Sequence, residues 1–232
     1  MIKRIEKAIY SVKLSCAAGV ITETTTNRFS DFLKSILRQV ESNRTLSGGQ
    51  EKYLSDIEEV CSNKSIEESL QWAVDYNDDL REAALICAQY YQALDDSNQG
   101  NYFSKQREIV LNDPSGHVLS KKQFKGMCGN KFAVKVLQEM KREPKFSVGQ
   151  MVLLRSTNRL DMAPIANRGA ARFAYNLHRA AVRGEKVMAL VTSVDPIPIY
   201  RASKGGRVYS ILPVGSQNML YSSEKDLKSV RT

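Results

Sequence analysis

Four arginines and a tyrosine, Arg168, Arg172, Tyr175, Arg179 and Arg183, recur at steps of three and four residues with no acid between them. On an α-helix, at 100° per residue, all five point into a wedge of about 80°. Ala170, Phe173, Ala174, Leu177, Ala180 and Ala181 fall on the opposite side, which gives the segment an apolar back. Guanidinium groups held this close repel one another, and closely spaced phosphates relieve the repulsion while releasing counterions. Arginine suits that task because its planar fork grips phosphate and stacks on bases. Tyr175 adds a ring on which an unpaired base can stack. Arg155, Arg159, Lys186, Lys204 and Arg207 extend the basic footprint around expected strand ends. The chemistry expected is phosphate-backbone contact with DNA or RNA, without base reading. The competing use of the same residues is a solvated helix face whose arginines cover apolar surface or pair with acids elsewhere in the chain.

The charge balance gives that face its context. The 232 residues carry 34 Lys and Arg against 25 Asp and Glu, a formal net charge of +9. Residues 141–232 hold 16 bases and 6 acids, whereas residues 1–140 hold 18 bases and 19 acids. All of the excess positive charge is therefore in the last part of the chain, as expected when one module meets a polyanion and the other does not. With 42% hydrophobic and 25% charged residues, the chain reads as globular, long enough for two domains. Disorder, a collagen repeat and membrane spanning fit poorly.

The elements that position the basic face follow from periodicity. Ile2, Ile5, Ile9, Val12 and Cys16, followed by Gly19, predict a first amphipathic helix. Phe29, Phe32, Leu33, Ile36, Leu37 and Val40 predict a second, after a Thr-rich link at 22–26 and with Thr26 or Asn27 as N-cap. Ser47 with Gln50, Ser65 with Glu68, and Ser120 with Gln123 fit the capping box and mark three more starts. The stretch from Ser65 to Leu94 reads as two helices bending near 76–79, its aromatics as core. Tyr102 to Leu111 and the run through Phe132, Val136, Leu137 and Met140 predict two further helices, the last ending before Pro144.

Beyond Pro144 the period changes. Residues 146–154, 187–194, 207–212 and 218–221 read as strands, the last two joined as a hairpin through Pro213-Val214-Gly215-Ser216, with one helical turn over 223–228. The fold class expected is α+β: a helical N-terminal domain over 1–142, with a possible sub-unit over 1–62, then a small SH3-like β-barrel over 145–232. The Arg-rich helix, about 168–183, is an insertion between its first two strands, capped by Asn167 and ended by Gly184. An OB-type barrel is the nearest alternative.

Other motifs explain themselves more simply. Leu46-Ser47-Gly48-Gly49-Gln50 matches the signature of ABC-type ATPases, but no phosphate-cradling G-x-x-x-x-G-K-[ST] loop accompanies it, and a capping box accounts for the same residues. His117 and His178 have no Cys or His at metal-ligand spacing. The four cysteines, Cys16, Cys61, Cys87 and Cys128, form no CxxC pair and read as reduced, buried thiols. A Cys128/His117 nucleophile pair is open in principle, with a structural Cys128 the simpler reading. Asp75, Asp78 and Asp79 lack the glycine and distal glutamate of an EF-hand. No catalytic residue, cofactor or metal is assigned. Lys3, Arg4, Glu6 and Lys7 interrupt the apolar residues of the N-terminus, so no signal-peptide core is read there and a cytoplasmic location is expected.

Three segments resemble uncharacterised accessory proteins of tailed bacteriophages: Leu46-Ser47 with Gln50 and Tyr53-Leu54; Asn130-Lys131-Phe132-Ala133 with Lys135-Val136; and Arg201-Ala202 with Lys204-Gly205, Tyr209 and Leu212-Pro213. The resemblance covers the chain from about Thr26 onward. It implies a small helical unit, a longer helical region and an SH3-like C-terminal barrel, acting on nucleic acid or on host machinery in the host cytoplasm, and it transfers no activity. The expectation is a non-enzymatic nucleic-acid-binding accessory protein whose helical domain recruits a host or phage protein, with no membrane partner. The alternative is a protein-interaction adaptor or inhibitor whose arginine face docks an acidic surface of a host enzyme.

Overall fold

The structure, a computed structural model, describes residues 1–96, 100–155, 175–177 and 179–230. It is an α+β fold in which an antiparallel five-stranded sheet follows a helical region. Contacts divide the chain into two compact units, Met1–Arg81 with Val118–Phe124, and Glu82–His117 with Lys125–Thr232. The boundary read at 142–145 lies inside the second unit, which holds both helices and strands.

In the first unit, α1 (Ile2–Ala17), α2 (Glu23–Glu41) and α3 (Gly48–Val60) bury one stripe each, bringing Ile5, Val12, Leu33, Ile36, Leu54 and Ile57 into one core. The second helix starts earlier than expected. Thr22 is its N-cap, accepting from the Thr25 amide at 3.3 Å, so the Thr-rich link forms the first helical turn. Ser47 and Gln50 form the reciprocal capping box of α3. In α4 (Asn63–Asp75) the cap is Ser62, three residues before the serine expected, because its side chain reaches the Ser65 amide at 3.2 Å. Trp72 of α4 donates to the Leu119 carbonyl at 2.8 Å, and its ring lies 5.7 Å from those of Tyr76 and Phe124.

The other helices are α5 (Asp78–Asp96), α6 (Ser104–Asn112), α7 (Lys121–Cys128) and α8 (Lys131–Lys141). The break between α4 and α5 falls at the expected bend, and Ser120 with Gln123 caps α7 reciprocally. Asn130 caps α8 by accepting from the amides of Phe132 and Ala133.

The strands are β1 (Met151–Leu154), β2 (Met188–Val194), β3 (Val208–Pro213), β4 (Leu220–Ser223) and β5 (Leu227–Ser229), in the order β4-β3-β2-β1-β5. The first strand is shorter than the run from Phe146, since Ser147 to Gln150 closes a turn with Gly149 at φ +85°. A 3₁₀ turn at Glu224–Asp226 leads into β5, a strand the sequence reading did not contain. Phe146, Val152, Leu154, Val191, Tyr209 and Ile211 form the sheet's core, joined by Ala181 and Leu177 from the insertion. No pairing among the described residues joins β4 to β5, so the sheet is an open ladder.

Candidate nucleic-acid interface

The insertion leaves β1 at Arg155 and returns to β2 through Lys186, and the Leu154 amide donates to the Val187 carbonyl at 3.0 Å, so both ends of the insertion are at one end of the hairpin. Residues 175–177 and 179–182 are helical. Ala181, 2% exposed, is buried in the sheet core, and Leu177 packs against that core. Tyr175, Arg179 and Arg183 are exposed. The Arg179 guanidinium lies 5.8 Å from the centre of the Tyr175 ring, one helical turn away. Among the described residues no carboxylate comes within ion-pair distance of Arg179 or Arg183. Gly184 ends the helix at φ +86°, its amide donating to Ala181 and that of Glu185 to Ala180, a Schellman pair of bonds. The helix C-terminus carries partial negative charge and helps to hold two arginines there.

Of the other candidate residues, Arg155 and Lys186 are exposed at the same end of the β1–β2 hairpin. Arg155 is partly committed, since its Nε donates to the Leu227 carbonyl at 3.0 Å. Lys204 is exposed on the β2–β3 connection, at the other end of β2. Arg159, Arg168 and Arg172 lie outside the described residues, as does the side chain of His178.

Arg207 does not join the exposed set. It is 4% exposed, and its Nη2 donates to the Glu139 and Met140 carbonyls at 3.1 and 2.7 Å, while Nη1 lies 3.4 Å from Asp195 Oδ2. Those carbonyls belong to the last turn of α8, whose acceptors have no partner within the helix. Arg207 thus ties α8 to β3, and its charge is spent internally.

It belongs to a network that the sequence reading did not contain. Glu139 accepts from Arg142 at 2.9 Å and from the Gly205 amide at 2.9 Å. Glu224, 4% exposed, accepts from Arg142, from the Tyr209 hydroxyl at 2.8 Å and from the Lys145 amide at 3.1 Å. Burial alone pushes the Glu224 carboxyl up, but the hydrogen bonds from Arg142, Tyr209 and Lys145 outweigh it and hold the group below its ordinary value. Burial and the bond to Glu224 push the Tyr209 phenol up to about 12. The turn that delivers the Gly205 amide needs glycine twice. Gly205 sits at φ +70°, and a Cβ on Gly206 would run into the carbonyls of Arg201 and Ser203. The Glu139–Arg142 spacing was the only local signal of this network.

His117 is buried with Nδ1 2.9 Å from the Asp113 carbonyl, and Cys128 is buried in the same unit. Asp75 accepts from Gln71, and Asp78 pairs with Arg81. Among the described residues no cluster of His, Cys, Asp and Glu could hold a metal ion, and no helix is long and apolar enough to cross a membrane. Compared with family models, with curated proteins and with solved structures, the chain matches none.

Proposed function

We propose that the protein is a non-enzymatic nucleic-acid-binding protein that grips phosphates through the helix carrying Tyr175, Arg179 and Arg183, with Arg155 and Lys186 beside it. The observation that carries this reading is the pair Arg179 and Arg183: exposed, without an acid partner among the described residues, and standing on a helix whose other side is anchored by Ala181 in the sheet core. An anchored cationic row presents charge to a phosphate chain at little ordering cost. The 56% exposed Tyr175 ring, with Arg179 beside it, supports stacking of unpaired bases. The meander order of the strands and the 3₁₀ turn before β5 support an SH3-like barrel as the platform, in keeping with the likeness to phage accessory proteins.

The test is salt-titrated fluorescence anisotropy on single- and double-stranded DNA and RNA. Replacing Arg179 and Arg183 together by Gln removes two phosphate contacts; the slope of log affinity against log salt falls by about 1.8, and affinity near 0.15 M salt drops about thirtyfold. Unchanged affinity and slope would remove the helix from the interface. Tyr175→Ala weakens single-strand binding about tenfold or more and leaves duplex binding unaltered.

A protein-adaptor role is favoured by a separate observation in the first unit. Leu70 and Val74, one turn apart on α4, are 52% and 79% exposed. Recovery of one stoichiometric protein partner from nuclease-treated lysate, with no salt-sensitive nucleic-acid binding, would favour that role.

A further inference from the structure

A cleft of about 270 Å³ in the second unit is walled by Ile86 and Gln89 of α5, Met140 of α8 and residues 195–199 of the β2–β3 connection. We propose that it binds a primary alkylammonium group, the apolar stem lying against Ile86, Met140 and the two prolines and the charged head meeting the Asp195 carboxylate.

Four features lead to this assignment. Asp195 is a non-glycine residue at φ +52°, a left-handed conformation that aspartate adopts more readily than most residues and that fixes the direction of its side chain. Here its amide donates to the Val208 carbonyl at 2.9 Å, which holds the carboxylate at the cleft. That carboxylate retains acceptor capacity. Its side chain is 27% exposed, it is paired with Arg207 at 3.4 Å while Glu224 repels it, and Oδ1, shielded from solvent, accepts from no described residue. The Arg207 Nη2 that could have strengthened the pair is committed to two carbonyls.

The third feature is donor scarcity. Pro196 and Pro198 have no N–H, so the stiff wall they form offers little to an anion and leaves the ligand to supply the donors. Gln89 carries an amide oxygen that can accept, beside an NH₂ that donates. The fourth is charge balance. Among the described residues three carboxylates, Asp195, Glu139 and Glu224, share two guanidinium groups, Arg142 and Arg207, in the linked network, a balance that favours an added cation. The volume lies just below that of pockets for drug-sized molecules and admits a short alkylammonium with room to spare.

The experiment titrates the full chain with n-pentylammonium, n-pentanol and pentanoate, following the Met140 methyl resonance by NMR. Saturable binding of n-pentylammonium is expected, at least tenfold tighter than either analogue of equal length, with about a fourfold gain per methylene from propyl to pentyl. Asp195→Asn should abolish the preference over pentanol, and Ile86→Trp, which fills the cleft without touching Asp195, should abolish binding of both. If Asp195→Asn fails to fold, Ile86→Trp with the three wild-type titrations decides. Equal affinity for pentanol and pentylammonium, or no saturable shift, overturns the proposal. Nα-acetyl-lysine methylamide identifies the source: binding as tight as that of pentylammonium assigns a peptide lysine, weaker binding a free amine, and either supports the site. Nucleic-acid binding of both variants stays at the wild-type level, so the outcome is separate from that of the arginine helix.

Discussion

Arg142 and Arg207 differ from Arg179 and Arg183 in their partners. The first pair is bonded to carboxylates and to helix-end carbonyls of the second unit, Arg207 from a buried position and Arg142 from the surface; the second pair is exposed, with no carboxylate within ion-pair distance among the described residues. The contrast teaches that a positive balance in sequence mixes two populations. One population organises the fold and is neutralised there, and only the other is free to meet a polyanion.

The strongest challenge to this division is Glu224→Ala. It leaves the buried Tyr209 hydroxyl without its acceptor and takes from the exposed Arg142 one of its two carboxylates, and urea melts should show a loss of about 3 kcal/mol. The milder Glu224→Gln isolates the titration. The folded-state value of Glu224 lies below its ordinary value of 4.5, so its contribution is complete above that pH and is lost as pH falls through the folded value. Asp195 and Asp226, pushed up by burial, act in the opposite sense: their ionised forms cost stability above their folded values. Stability–pH curves of Glu224→Gln should therefore lack the part of the acid-side decline that wild type shows below 4.5.

Arg→Lys in each population sharpens the comparison. Arg207→Lys keeps the charge but cannot meet two carbonyls and a carboxylate in one plane, and should cost about 2 kcal/mol in the same melts. The double change of Arg179 and Arg183 to Gln should leave stability within about 0.5 kcal/mol of wild type while binding falls. Arg179→Lys, smallest of all, should preserve the salt slope and weaken binding only a few-fold. A large stability loss from the exposed pair, or none from Arg207→Lys, would erase the distinction.

Helices were the most legible part of the chain, because a 3.6-residue stripe and a cap are local. Of the first expected stripe Ile5 and Val12 lie in the core, with Ile9 and Cys16 packed against it and Ile2 exposed, and the boxes at Ser47 and Ser120 stand where their spacing puts them. Where two local solutions competed, at Thr22 against Thr26 and Ser62 against Ser65, periodicity did not separate them, since either serine or threonine precedes the same apolar stripe. The three residues of β5 carry no period of their own, and only pairing with β1 makes them a strand.

The amino-acid order alone determined the α+β class, the helix register and the concentration of positive charge after residue 140. Which cations are spent and which are free was decided by the tertiary structure. Arg207 and Arg183 read alike in the chain, but burial and partners depend on residues far apart in sequence: Glu139 and Asp195 reach Arg207 across long separations, and none of the described acids reaches Arg183. The alkylammonium cleft is of the same kind, since the chain places Ile86, Met140 and Asp195 many residues apart and packing makes them one wall.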